Sequence, residues 1–529
     1  MKQLGMCVRS GLDMAQPSAG SQARLITRVV VLGMAAVAAA PSNAVSVHTP
    51  TGLPAGLQQQ LDSLLRGSQV RGGAAVLVDI SGPVAVAGFG TSDVAVGTPF
   101  TGATCARVGE LANTFTSVLA LRLAEQDKLD LERPLPPDLQ PLSPAACAGQ
   151  VSVAQLLEQT AGLMDSTSTP STPSTPSAGP PTRALSWCPG LHYRASPHSI
   201  ALAAKAIERA GGANFTTLMQ REVFEPLGLR QTRYSGTDTV ACPSKSHAAS
   251  GAELAFEAKS QSKLGQLFAA ELTSTPLELA KLVQMLLRYG DGEQGNVLEA
   301  CSVAHMSSGS TGLASRLGLS AGIEGRGLTR FVAAGRLMLG YTGQAQGFRT
   351  LIGLAPETGR GMVLVLNTAD EHALTKIKDV LASWVWQNAP PGPLPRLGRT
   401  SEGIAGWYVK PARTDGVPAQ WAAVRDLVRV EPSAHGAQLR SLWPWVAPRQ
   451  VVAVTEHSFR SDALPLAGMA FARLPDGSRW WIDAESFAEI TPWRALLTLA
   501  APVLACLVTV LLAAAWLRQR GFRWRHRVP

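Results

Sequence analysis

Short β-type runs stand at both ends of a long helical stretch, and this order constrains the fold more than any other feature of the chain. "AAVLVDI" (74–80) and "VAVAGFG" (84–90) come first, joined around Ser81-Gly82-Pro83 as a hairpin. "RFVAAGRLML" (330–339), "FRTLIGLAP" (348–356) and "GMVLVLNT" (361–368) come last, and "PETGRG" turns between the final two. Such an arrangement predicts an α/β (α+β) domain. One antiparallel sheet is built from both ends of the segment and flanked by helices, with a helical insertion between.

The intervening patterns read as helices. Residues 55–66 open the domain with helical periodicity, and in residues 106–131 Phe115, Val118, Leu119 and Leu123 recur at three- and four-residue steps as one apolar stripe. "SVAQLLEQTAGL" (152–163) predicts a helix capped by Ser152. Residues 199–210, 214–224 and 276–288 repeat the pattern, and "EHALTKIKDVLASWVWQ" (371–387) closes the domain. Residues 165–182, a Ser/Thr/Pro repeat, predict an extended surface loop. "APPGPLPRLGR" (389–399) reads as a linker, and residues 400–490 as a small β-rich accessory domain with several Trp. At 529 residues the chain is long enough for two sizeable cores.

Apolar residues make up 46% and charged residues 16%, with a net charge of +9. No mid-chain Lys/Arg run carries interleaved aromatics, so nucleic-acid binding gains no support. The charge is explained by membrane topology. Arg24 and Arg28 precede "VVVLGMAAVAAA" (29–40) and "PSNAV", the layout of a signal peptide spanning residues 1–44, with an uncleaved anchor as the alternative. "ALLTLAAPVLACLVTVLLAAAWL" (495–517) carries no charge and is long enough to cross a bilayer. The Arg-rich tail (518–529) behind it places that end in the cytoplasm. The expected location is therefore the bacterial inner (cytoplasmic) membrane, single-pass, with the main domains periplasmic or otherwise extracytoplasmic. Five cysteines (Cys105, Cys147, Cys188, Cys242 and Cys301) fall in the exported part, where disulfides are permitted. No CxxC or Cys/His metal spacing occurs, so neither a metal nor another cofactor is expected.

Five strings, in order over residues 50–388, resemble the serine β-lactamase and penicillin-binding-protein-like superfamily, nearest its class C β-lactamase, DD-peptidase and esterase branch. They are "VAVAGFGTSDVAVGTPFTGATCARVGE", "NTFTSVLALRLAEQDKLDLERPL", "VSVAQLLEQTAGL", "CPGLHYRASPHSIALAAKAIERAGGANFTTLMQREVFEPLGLRQT" and "LGYTGQAQGFRTLIGLAPETGRGMVLVLNT". The resemblance implies the β-lactamase/transpeptidase-like fold and acyl transfer through a serine ester. That chemistry needs a Ser at the start of the helix, a Lys one turn later, and a Tyr of a Y-x-N motif. It also needs a Lys- or His-Thr-Gly strand and two oxyanion-binding N–H groups, one from the nucleophile residue and one from the strand.

This sequence departs at those positions. "RVGELANTFT" puts Glu110 at the nucleophile position and Asn113 at the Lys position, while Ala195, Ser196 and Pro197 stand at the Y-x-N motif. Tyr341-Thr342-Gly343 keeps the third motif with Tyr in place of Lys or His. Gly109, Thr114, Phe115, Gly162, Pro189, Gly190 and Gly347 agree with the family as scaffold. The expected cleft residues are Glu110, Asn113, Ser196, Tyr341, Thr342 and Gly343, with no intact catalytic set. Ser260 and Lys263 form an S-x-x-K pair far from the catalytic helix and read as a solvated loop. His192, His198 and His247 read as surface residues and Gln159 as structural. The expectation is a membrane-anchored pseudoenzyme that binds a peptidoglycan-type or other D-amino-acid peptide, or a partner protein. The alternative is an active peptidase, esterase or β-lactamase-type hydrolase working around Glu110 and Tyr341.

Overall fold

The computed structural model describes residues 51–500 apart from 142–148, 164–184, 186–187, 192, 235–243, 251, 255–271, 318, 320–324, 390–402, 410–425, 434, 442–445, 456, 462–466, 474–476, 483–485 and 499. The signal-peptide segment, the Ser/Thr/Pro repeat, Ser260, Lys263, His192, Cys147, Cys242, the basic tail and most of residues 389–399 and 495–517 lie outside the described residues.

The sheet forms as its sequence order predicts. Its strands are β1 (Gly72–Asp79), β2 (Gly82–Asp93), β3 (Thr98–Pro99), β4 (Thr329–Ala333), β5 (Arg336–Ala345), β6 (Phe348–Ala355) and β7 (Arg360–Leu366). They run β4-β5-β6-β7-β1-β2-β3, with every pair antiparallel. Strands from the two ends of the domain meet where β1 pairs with β7, from Gly73 opposite Leu366 to Asp79 opposite Arg360.

β1 is buried on both faces, which explains its unbroken apolar run. Ala74, Val76 and Val78 face a core shared with Phe115, Val118 and Leu119 of α2 (Ala112–Glu125) and Leu279 and Val283 of α5 (Pro276–Leu287). Ala75 and Leu77 face a second core, with Leu57 and Leu61 of α1 (Ala55–Arg66) and Leu374, Ile377 and Leu381 of α7 (Glu371–Val385). Fully burying each such Leu or Val contributes about 1.5–3 kcal/mol. The helical layer also holds α3 (Val153–Leu157) and α4 (Pro197–Gly211).

Local chemistry sets where elements start and stop. Ser152 and Gln155 form a reciprocal capping box at the start of α3. The helix expected over 152–163 stops early, because Gln159 takes a left-handed conformation (φ 55°) and Gly162 another (φ 78°). The run expected as one strand over 330–339 divides into β4 and β5, since Ala334 (φ 50°) and Gly335 (φ 73°) make a tight hairpin turn.

Beyond α7, β8 (Gly406–Val409), β9 (Val428–Ser433), β10 (Gly436–Ser441), β11 (Arg449–Ala453), β12 (Ser458–Ser461), β13 (Met469–Arg473), β14 (Arg479–Ile482) and β15 (Ser486–Ile490) form a closed barrel. β8 pairs with both β9 and β15, which closes the ring. Tyr408, Val430, Leu439, Val451, Phe459, Met469 and Trp481 fill one barrel core. A separate cluster joins Ala467, Ala470, Ala472 and Ile482 of the barrel to Leu319 and to Leu313, Ala314 and Leu317 in and after α6 (Leu313–Arg316). The segment around α6 is thus the seat of the barrel on the first domain.

Candidate functional site

A 3-10 turn, Gly109–Leu111, leads into α2 and carries Glu110. Two glycines let this turn lie directly against β5. Gly109 has φ +59°, and a Cβ there would stand 2.2 Å from the Gln344 carbonyl oxygen. A Cβ on Gly343 would stand 1.9 Å from the Val108 carbonyl oxygen. No side chain fits at either position, so the turn and the strand meet backbone to backbone.

This approach brings the Glu110 carboxylate onto β5, where its Oε2 accepts the backbone N–H of Gln344. Partial burial raises the Glu110 carboxyl above its ordinary value; the Gln344 N–H, its own backbone N–H and the Arg349 charge pull the other way. The two N–H groups are one from the nucleophile position and one from the strand beside Tyr341-Thr342-Gly343. They are the pair from which this scaffold's oxyanion site is expected, and the strand's member, the Gln344 N–H, is taken by the side chain of Glu110. Residue type does not reveal this contact, because Gln344 contributes only its backbone; its place directly after the third motif is the available signal.

One turn further on, Asn113 Nδ2 donates to Tyr341 Oη at 2.9 Å. The pair ties α2 to β5, and both residues are nearly closed to solvent (7% and 6% exposed). Asn113 Oδ1 is buried without a hydrogen-bond partner. Thr114 Oγ1 donates to the Gly327 carbonyl oxygen at 2.7 Å, which holds the segment before β4 against α2.

The other expected cleft residues stand differently. Thr342 is exposed and, by strand alternation, lies on the face of β5 opposite Tyr341. Ser196 is the N-cap residue of α4, buried, and its N–H donates to Gln159 Oε1 at 2.9 Å. Ala195 and Pro197 beside it are exposed, with Pro197 at the first helical position, where its missing N–H costs nothing. The old Y-x-N segment has become a helix start. Gln159 is structural: its side chain anchors Ser196 and its carbonyl accepts the Arg194 N–H. His247, expected at the surface, is instead 1% exposed, because it bridges to Thr368 at the sheet's end and its Nδ1 lies 3.2 Å from the Asn367 carbonyl oxygen. His198 is half-buried.

In the helical layer, Glu158 is a buried anchor that residue patterning did not reveal. It accepts from Arg326 Nε at 3.0 Å, the Ser310 and Thr311 N–H groups at 2.9 and 2.8 Å, and Thr311 Oγ1 at 2.6 Å. Arg326 also pairs with Glu132. Among the described residues, no cluster of three or more His, Cys, Asp or Glu is arranged to hold a metal ion.

The Beta-lactamase family model matches residues 57–382, and the chain belongs to that family. Among solved structures, the β-lactamase/D-alanine carboxypeptidase from Pseudomonas syringae is similar at 17% identity and a TM-score of 0.50, covering 64% of this chain and all of that one. SurE is similar at 21% identity and a TM-score of 0.54, covering 82% of this chain and 98% of that one. The structure titled SurE with D-Leu gives 19% identity, a TM-score of 0.53 and coverage of 82% and 99%. These likenesses establish the fold.

Proposed function

We propose that this chain is a non-acylating member of the Beta-lactamase family that works by binding. The observation that carries this reading is the seating of the Glu110 carboxylate on the Gln344 N–H. In an acylating site those N–H groups must be free to receive charge that develops on the substrate oxygen. Here the Glu110 side chain already holds the strand's N–H, a hydrogen bond worth about 0.5–1.5 kcal/mol and more when the carboxyl is ionised. Asn113 also lacks the amine that would deprotonate a nucleophile, and its amide is committed to Tyr341. The ligand classes that suit the inherited scaffold are cell-wall or other D-amino-acid peptides and a partner protein. The first is in keeping with similar structures titled as a D-alanine carboxypeptidase and as a complex with D-Leu.

The same proposal places the two folded domains outside the cytoplasm, tethered through residues 495–517. Cys105, Cys188 and Cys301 are disulfide-bonded, as suits an oxidising compartment. At the described start of the apolar run, Trp493, Leu496 and Leu497 are exposed. Among the described residues no helix is long and apolar enough to cross a membrane. Protease treatment of intact spheroplasts should therefore digest both domains and spare a C-terminal fragment.

Activity is tested by adding a chromogenic β-lactam and a short-chain ester to the purified full chain in detergent. No turnover above that of heat-denatured protein is expected. Turnover that disappears on Glu110→Ala would favour a hydrolase working through Glu110 instead.

A further inference from the structure

β4 is the outer strand of the seven-stranded sheet. The two-residue turn at Ala334 and Gly335 makes Ala333 and Arg336 the closing hydrogen-bonded pair of its hairpin with β5. Bonded and non-bonded pairs alternate along an antiparallel ladder. Thr329 and Phe331 therefore bond inward to β5, while Arg330 and Val332 turn their N–H and C=O groups to the outer edge. Lys378 of α7 donates to the outward Val332 carbonyl at 2.8 Å and closes that end of the edge. Arg330 has no such cover: among the described residues neither its outward backbone groups nor its guanidinium has a hydrogen-bond or ion-pair partner. Its side chain stands opposite Leu339, on the face of the sheet that holds Tyr341, whereas Phe331 packs on the other face. The Arg330 side chain is half-buried, and burial lowers its pKa from the ordinary value with no carboxylate pulling the other way. A cation drawn out of water beside unused backbone groups is costly until a partner supplies an anion. A second copy of the chain cannot do so. Pairing two β4 edges would bring two Arg330 cations together, and facing like charges destabilise a ladder.

We infer that the outer edge of β4 docks an acidic, extended segment of a partner protein, added antiparallel to β4 with a carboxylate side chain opposite Arg330. The segment exchanges its N–H and C=O with those of Arg330, and its carboxylate sits on the same face as the guanidinium. Backbone pairing supplies the attachment and the charge pair supplies the selectivity. This inference goes beyond the reading of Glu110 and does not depend on it.

The test uses the full chain in detergent at pH 7 and low salt, with fluorescein-tagged peptides read by anisotropy. The first peptide alternates Thr and Val around a central Glu. One twin carries Lys at the centre, and another is N-methylated at the central Glu. The Glu peptide should bind about tenfold more tightly than the Lys twin, the difference one facing charge pair can make. N-methylation removes the donor to the Arg330 carbonyl and should weaken binding severalfold. Arg330→Glu, confirmed as folded by its thermal melt, should reverse the charge preference; if that variant does not fold, Arg330→Gln should abolish the preference. No binding by the Glu peptide, equal binding of the Lys twin, indifference to N-methylation, or a preference that survives the substitution would overturn the inference. A dimer in sedimentation that excludes the Glu peptide would overturn it too, because the edge would then belong to a second copy.

Discussion

The Glu110 carboxylate accepts the backbone N–H of Gln344, so the residue at the family's nucleophile position is tied to the strand that forms the opposite wall of the site. The contact depends on the two glycines, Gly109 and Gly343, which allow the turn and the strand to touch. The chemistry of the site and its stability are therefore linked, and each link can be measured.

Burial of Glu110 has a pH signature. Its carboxyl is raised in the folded chain above its ordinary value of 4.5, so the folded state binds that proton more tightly than the unfolded state. The resulting stabilisation is complete below about pH 4.5 and is lost as pH rises through the folded value. Glu110→Gln has no such proton. The unfolding free energy of wild type minus that of Glu110→Gln, from urea melts at each pH, should fall as pH rises above about 4.5. A difference that rises with pH would show that the hydrogen bonds outweigh burial.

The Asn113–Tyr341 pair predicts non-additive stability. Tyr341→Phe removes the partner of Asn113 Nδ2 and leaves both polar atoms of that buried amide unpaired, at a cost of about 1–3 kcal/mol. Asn113→Leu should relieve part of that cost. The double variant Asn113→Leu/Tyr341→Phe should lose less than the sum of the single losses by about 1 kcal/mol in chemical denaturation. Strict additivity would mean that the hydrogen bond contributes nothing.

Close backbone approach predicts opposite effects at two glycines. Gly343→Ala places a methyl group 1.9 Å from the Val108 carbonyl oxygen and should destabilise by about 1–3 kcal/mol or more. Gly56 lies within α1 with nothing within 4 Å of a Cβ, and Gly56→Ala should stabilise by about 0.5–1 kcal/mol. Thermal melts of the two variants give the comparison directly.

The ion pairs of Arg326 should be worth far more on their buried side. Glu158 is 1% exposed, so Arg326→Met strands a buried carboxylate and should cost about 3–5 kcal/mol. The Glu132 side chain is 61% exposed, and Glu132→Ala should cost less than about 1 kcal/mol although it contacts the same guanidinium. Similar losses from both would contradict the assigned burial.

The fold was legible where side chains report it. The strands at both ends of the domain, the Ser152 cap and the helix that begins at Pro276 all follow from residue type and spacing. What could not be read is made by backbone or by distant partners. The break of α3 at Gln159 depends on a φ value that Gln rarely adopts, held by its hydrogen bond to Ser196. The Glu110–Gln344 contact joins a side chain to a main-chain N–H 234 positions away. His247 carried no periodic signal, because its burial comes from bridging to Thr368. The ring of β8–β15 was visible as β-type runs, but closure is a long-range pairing of β8 with β15.

The most direct test of the central claim is covalent labelling of the full chain in detergent with a fluorescent penicillin and with a fluorophosphonate, read by intact-mass spectrometry. The seating of Glu110 on the Gln344 N–H predicts the unmodified mass with both reagents, in native and heat-denatured samples alike. A stoichiometric adduct in the native sample that vanishes on heat denaturation would contradict it.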